Sequence, residues 1–369
     1  MYSGRYLVKN KLLKFYLYAV YYLSFPISLF VKKDIGNTNG IKRVLVANGA
    51  HLGDIAILIS SINVLKASNP DLKVDLVTGS WNKPVINYYD VFNEVYFLDH
   101  WRLNRSKKSI VLKLLQYYKT FIKSCFLVRK IKYALAIDTY HFYPNSSLFL
   151  FFCGIKNRLG YSSGGFDNFY SQVLKWEAGK GHIAHYHLAL FECILKICHK
   201  KPFFIKKYSS RLARYSFGRY IVVAPSAGDL SKMWNIDKWI KLSLLLLQRY
   251  DNVVLIGSGD DDAKICNSIA CNEHFINLCN KTSLDELANI INSSRAIVCL
   301  DSFISHFSAQ FGIPIFRIEG QNKNLNLWKP ICDTCIQIYV EDDKWLYGLE
   351  HMKLIAPEYV NDIILRNKI

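Results

Sequence analysis

From Ile41 onward the chain alternates short continuous apolar runs with longer stretches whose apolar residues recur three and four positions apart. The first kind predicts buried strands and the second amphipathic helices. Arg43-Val-Leu-Val-Ala-Asn48 reads as a strand, and Ile55 to Ala67 as a helix that stops before Asn69-Pro70. Further strands are predicted at Lys73–Thr78, Glu94–Leu98 and Tyr133–Asp138, with a long basic helix from about Lys107 to Lys130. Strand–helix–strand order implies βαβ units and a parallel sheet. A helix over Tyr186–Cys198 and Lys/Ser-rich sequence up to Arg219 mark a domain boundary. The rhythm then restarts, with strands at Tyr220–Ala224, Val253–Gly257, near Phe275–Leu278, Ala296–Leu300 and Pro314–Ile318. Helices are predicted at Ile236–Tyr250, Asp261–Cys271, Leu284–Asn292 (capped by Ser283 or Thr282), Ile304–Phe311 and from Pro357. The expected fold is α/β, two Rossmann-like parallel-sheet domains facing a central cleft. The expected divisions are a segment 1–38, domains 39–200 and 220–355, a linker 201–219, and a terminal helix 356–369.

The amino-terminal segment has its own pattern. Phe15 to Val31 carries no charge and is bracketed by Lys14 and by Lys32 and Lys33. It falls short of the roughly 20 apolar residues a membrane span needs, and Pro26 interrupts it. No small-residue cleavage site follows, which argues against a signal peptide. An aromatic, Lys-flanked segment is expected to lie in a membrane interface, ahead of packing on the protein's own surface or spanning. Deleting residues 1–38 is then expected to leave a folded protein.

Composition sharpens the division. The 369 residues are 51% hydrophobic and 21% charged, enough for real cores and unlike a disordered or fibrous chain. Net charge is +18. Residues 1–219 carry 33 basic and 11 acidic side chains, whereas residues 220–369 carry 14 and 18. A first half this basic points to an anionic partner. Of ten cysteines only Cys332 and Cys335 form C-x-x-C, and no second pair completes a zinc site. They read as small buried hydrophobes in a reducing compartment.

Ligands of open parallel sheets bind where strands run into helices, and four such loops are densely polar. In Asn48-Gly-Ala-His-Leu-Gly-Asp54, Gly49 and Gly53 allow close backbone approach, and Asp54 is either a helix N-cap or an ionised general base. Ala224-Pro-Ser-Ala-Gly-Asp-Leu-Ser-Lys-Met-Trp234 ends with Lys232, a phosphate contact or a solvated lysine. Gly257-Ser-Gly-Asp-Asp-Asp262 offers carboxylates for a ribose diol; Asp260 and Asp262 also read as a metal pair or as favourable helix-start charges. Asp301-Ser-Phe-Ile-Ser-His306 opens a helix suited to a pyrophosphate, with His306 a further donor or a satisfied core histidine.

In order, these loops resemble glycosyltransferase family 9, the lipopolysaccharide heptosyltransferases. The resemblance runs through the Gly-Asp loop, Lys232-x-Trp234, Gly257-Ser-Gly-Asp-Asp261, Asn277-Leu-Cys-Asn-Lys-Thr-Ser-Leu-Asp-Glu-Leu-Ala288, and Asp301 to His306 with Gly312 and Pro314 beyond. It implies a GT-B fold and inverting, metal-independent transfer of a sugar, typically heptose from an ADP-sugar, with no cofactor. Asp54 would take the acceptor proton. The donor set would be Ser226, Lys232, Gly257, Asp261, Asp301, Ser302 and His306. His51, Arg102, Arg105 and Arg158, with Lys107 and Lys108 nearby, would face an anionic lipid-linked glycan. The implied location is peripheral, on the cytoplasmic face of a bacterial inner membrane, with no nucleic-acid partner. Two departures stand out: Phe303 replaces the family glycine, and Glu319-Gly-Gln-Asn322 replaces a Gly-Pro-Thr-like loop. A nucleotide-sugar epimerase, which needs no acceptor, and a non-catalytic glycan-binding relative are the alternatives.

Overall fold

The computed structural model describes residues 11–31, 35–36, 40–177, 179, 181–204, 217–320, 326–341 and 348–367. Residues 205–216 of the expected linker, 1–10, 32–34 and 37–38 of the amino-terminal segment, residue 39, and Gln321 and Asn322 lie outside the described residues. The chain divides into two compact units, Met1–Phe203 and Phe204–Ile369.

The first unit contains α1 (Lys11–Ser28), β1 (Arg43–Ala47), α2 (Leu52–Ser68), β2 (Lys73–Thr78), α3 (Lys83–Tyr89) and β3 (Val95–Phe97). It continues with α4 (Ile110–Ile131), β4 (Leu135–Asp138), α5 (Ser147–Phe152), β5 (Asn157–Tyr161), β6 (Gln172–Leu174) and α6 (Ile183–Glu192). All its strands are parallel, in the order β3-β2-β1-β4-β5-β6. Val44, Leu45 and Val46 of β1 are fully buried, as a strand covered on both sides requires. Helix α2 is buried from Ile55 through Leu65, including Ser60, Ser61 and Asn63, and packs against α6. The expected helix at Tyr186–Cys198 begins earlier and ends at Glu192.

Strands β5 and β6 and helix α3 have no counterpart in the sequence reading. In β5 the sequence Asn-Arg-Leu-Gly-Tyr breaks the apolar run, yet Arg158 lies inside the fold. Its Nε donates to the Phe169 carbonyl at 2.6 Å, its terminal nitrogen to Ile155, and its guanidinium lies 5.4 Å from the Phe151 ring centre. Gly160 leaves room for Tyr170, whose ring a Cβ there would meet at 2.4 Å. Arg158 therefore satisfies backbone carbonyls, a correction to its reading as an acceptor contact.

The uncharged amino-terminal run is mostly helix α1, with Pro26 in its last turn. Leu17, Tyr21 and Val31 are buried with Phe166 and Phe169, so one side packs on the protein's own unit. Phe15, Tyr22 and Leu23 on α1 remain 66–79% exposed. Among the described residues, no helix is long and apolar enough to cross a membrane.

The second unit repeats the plan. It contains β7 (Tyr220–Ala224), α7 (Ile236–Leu246), β8 (Asn252–Leu255), α8 (Asp260–Ile269), β9 (Phe275–Asn277) and α9 (Leu284–Ser293). β10 (Ile297–Leu300), α10 (Phe303–Ser308), β11 (Ile315–Ile318), β12 (Cys335–Ile338), α11 (Leu349–Met352) and α12 (Pro357–Arg366) follow. The order is β12-β11-β10-β7-β8-β9, again all parallel. Trp239 is fully buried, and Val360 and Ile364 of α12 join the same core. Ser283 is the cap of α9: its hydroxyl accepts from Glu286 N–H at 3.2 Å while Glu286 accepts from Ser283 N–H at 2.9 Å. Six of the ten free cysteines are buried, Cys332 is half-buried, and Cys193, Cys198 and Cys271 are exposed.

In each unit the chain starts in the middle of the sheet, builds to one side, then crosses to the other. The reversal falls between β1 and β4 in the first unit and between β7 and β10 in the second. The crevice at the carboxyl ends of such a strand pair is where ligands of open α/β sheets sit.

Candidate functional site

The β7/β10 reversal in the second unit carries an ionic chain. Trp234 is buried against Trp239, its indole N–H donating to the Ile355 carbonyl at 3.1 Å. This anchors the end of the loop in which Asp229 accepts from Ser231 N–H and holds the turn Leu230–Lys232. Lys232 Nζ then lies 2.7 Å from Asp301 Oδ2, just after β10. Arg317, fully buried on β11, places one guanidinium nitrogen 3.4 Å from the other Asp301 oxygen and another on Glu319. Gln337 of β12 donates to Glu319 at 2.6 Å. Burial opposes the Asp301 charge, but Arg317 and Lys232 hold its carboxyl below the usual range. Glu319 is pushed the other way, because burial outweighs Arg317.

Lys232 is thus ion-paired with Asp301 while its side chain stays partly open to solvent. His306, buried on α10, adds to the field that lowers Asp301. Ser302 precedes α10 as its N-cap, though its hydroxyl makes no capping bond. Phe303 begins that helix and its ring lies 5.4 Å from Phe307. Ser226 is half-buried in the loop after β7. Gly257 is required by crowding, since a Cβ would meet Asp262 at 2.9 Å and Cys279 at 3.1 Å. The carboxylate that closes this loop is that of Asp262, accepting from Ser258 N–H at 2.9 Å, whereas Asp261 is exposed. Among the described residues, no three His, Cys, Asp or Glu side chains gather to hold a metal ion.

The β1/β4 reversal in the first unit carries the other cluster. Asn48 follows β1 and donates to the Thr139 hydroxyl at 3.0 Å, tying the two strand ends. Trp81 and Asn82 both donate to the Ala50 carbonyl, at 2.8 and 2.9 Å. The N-cap of α2 is His51, so Asp54 occupies the third helical position, where its Oδ2 accepts from His51 N–H at 3.3 Å. Gly49 and Gly53 do not adopt positive φ; a Cβ on Gly49 would meet the Leu103 side chain at 3.2 Å. Burial, assisted by Arg105, lowers His51 to about 4, so it is a neutral donor or acceptor at pH 7. Tyr140, just after β4, is raised by burial and by the Asp54 charge, while Arg105 and Arg102 act against both. Asp54, Tyr140, Arg102 and Arg105 therefore share one field. Lys108 is exposed and donates to Gln116 at 3.1 Å, and Lys107 is exposed beside it.

Tyr140, Arg317 and Gln337 escaped sequence reasoning, and Glu319 figured there only as part of the altered loop after β11. Of the three, Arg317 left a signal, a charge inside the apolar run from Pro314 to Ile318.

Twin α/β units with polar clusters at their strand-order reversals define the GT-B class. Solved structures agree on the fold. ADP-heptose lipopolysaccharide heptosyltransferase II of E. coli matches with TM-score 0.69 at 19% identity, over 89% of this chain and 100% of that one. A family 9 glycosyl transferase from Veillonella parvula DSM 2008 matches at 0.71 and 16%, over 88% and 96%. E. coli heptosyltransferase WaaC with ADP matches at 0.70 and 15%, over 88% and 99%. The model of glycosyltransferase family 9 (heptosyltransferase) matches residues 128–342, more than half of the chain, and the chain belongs to that family. Lipopolysaccharide heptosyltransferase 3 of Escherichia coli (strain K12) is 30% identical over 124 residues, 32% of this chain. That match spans about a third of the relative's length, 36%.

Proposed function

We propose that the protein is an inverting, metal-independent glycosyltransferase that moves heptose from an ADP-linked donor to a lipopolysaccharide core or related lipid-linked glycan. It works at the cytoplasmic face of the inner membrane. Family membership supports the reaction class, and the donor in the name of the related E. coli heptosyltransferase II supports ADP-heptose. The observation that carries the mechanism is Asp54 at the β1/β4 reversal, in one field with Tyr140, Arg102 and Arg105. Asp54 accepts the proton of the acceptor hydroxyl. The freed oxygen attacks the anomeric carbon, and the nucleoside diphosphate leaves from the opposite side with the bonding electrons. Arg102 and Arg105 bind acceptor phosphates, and neutral His51 orients the hydroxyl. Lys232, fixed by Asp301, meets the charge that grows on the diphosphate. Ser226, Ser302 and His306 line the same donor region, and Asp261 takes the ribose.

The test is Asp54→Asn. Asn keeps an oxygen to accept from His51 N–H, so the helix start survives. Loss of the base lowers turnover by a factor on the order of 10² or more, with donor affinity and melting temperature unchanged. Near-normal turnover removes Asp54 from the chemistry. The same assay with a chelator leaves the rate unaltered; loss of activity restored by a divalent ion would contradict the metal-independent mechanism.

A further inference from the structure

Helix α4 is apolar on two adjoining sides. Its inner side, with Phe121, Cys125 and Val128, packs into the first unit's core, Phe121 lying 5.3 Å from Phe149 of α5. At 3.6 residues per turn, Val111, Leu115, Tyr118, Ile122 and Phe126 fall on a single stripe about a quarter-turn round from that inner side. These five are 59–68% exposed. A helix whose inner side already meets the core has no intramolecular use for a second apolar stripe. The neighbouring elements continue the pattern. Phe152 of α5 is 52% exposed with its ring 6.0 Å from Phe121. Phe151 packs on Phe169, where α1 also sits with its own exposed aromatic side chains.

Charge decides the occupant. Lys119, Lys123 and Lys130 fall along one flank of the stripe, and Lys130 lies 4.3 Å over the Phe126 ring. Residues 101–137 contain ten Lys or Arg and no Asp or Glu. A second copy of the chain would set like charges against each other across a two-fold axis. An anionic phospholipid surface takes apolar side chains at its acyl boundary and lysines at its phosphates. We propose that α4 is a bilayer-docking helix. It lies in the plane of an anionic membrane with its outward stripe among the acyl chains and its lysine flank on lipid phosphates. This deepens the membrane-surface part of the proposed function and rests on it.

The test is co-sedimentation of the full chain with vesicles of phosphatidylcholine and phosphatidylglycerol, with neither donor nor acceptor present. Leu115→Glu/Ile122→Glu changes exposed positions only, and circular dichroism and elution volume check that it folds. It is expected to weaken vesicle binding by roughly tenfold or more. Lys119→Gln/Lys123→Gln/Lys130→Gln is expected to weaken it on the order of a hundredfold at low salt, and less at high salt. Binding by both variants equal to wild type overturns the docking role of α4 and leaves the membrane reading intact. Absence of binding by the wild type overturns both. A wild-type dimer made monomeric by the Glu pair, with vesicle binding unchanged, assigns the stripe to self-association and also overturns the proposal.

Discussion

The two carboxylates nearest the sheet reversals are governed by different neighbours, and this separates what their removal does. Asp301 is held ionised by Arg317 and Lys232. Half-exposed ion pairs such as Lys232–Asp301 contribute about 1 kcal/mol or less, whereas a charged hydrogen bond to a phosphate contributes about 1.5–3. Lys232→Ala is therefore expected to leave the melting temperature nearly unchanged and to weaken donor binding about tenfold, read by titrating ADP. Unchanged ADP affinity would return Lys232 to a structural part. Asp138, ending β4, is fully buried and accepts from Tyr170, Ser146 N–H and Tyr140 N–H, yet burial raises it to about 6. An unfolded aspartate titrates near 4. The folded state therefore binds the proton more tightly, so this group's stabilising contribution is full below about 4 and is lost as pH rises through about 6. Asp138→Asn removes that dependence. Urea midpoints measured across this window should fall with pH more steeply in wild type than in the variant; parallel curves would give Asp138 an ordinary pKa.

Among the elements, those legible in the sequence are the ones buried on both sides or capped by local chemistry. Val44-Leu-Val46 and Tyr220-Ile-Val-Val-Ala224 announce central strands, and Ser283 with Glu286 announces the start of α9. Strand β5 was hidden because Arg158 and Gly160 interrupt its pattern for tertiary reasons: one satisfies distant carbonyls, the other admits Tyr170. The candidate loops were legible as polar clusters after strands, but the links between them depend on residues far apart in sequence. Arg317, which joins Asp301 to Glu319, is an example. The exposed side of α1 suits a membrane interface, yet Leu17 and Tyr21 also cover Phe166 and Phe169. Deleting residues 1–38 is thus expected to lower the melting temperature by several degrees rather than leave the unit unaffected. Calorimetry of the truncated chain checks this, and an unchanged transition would mean that α1 contributes no net stability.

For the molecule as a whole, the charge division predicts two salt responses. The first 219 residues carry a large basic excess and the remainder a slight acidic one. Screening is expected to raise KM for the anionic acceptor steeply and KM for the donor little. Equal salt slopes in steady-state kinetics would break the assignment of the acceptor to the first unit. The shared sheet order also has a consequence in time. β1 is made early but sits between β2 and β4, and β4 begins at Leu135. At roughly 5–20 residues per second, a ribosome takes roughly 4–18 s to go from Ala47 to Leu135. Throughout that interval one hydrogen-bonding edge of Arg43-Val-Leu-Val-Ala47 has no partner strand. The second unit repeats the wait between Ala224 and Ile297. The central strand of each sheet is thus the segment that a chaperone must shield longest during synthesis.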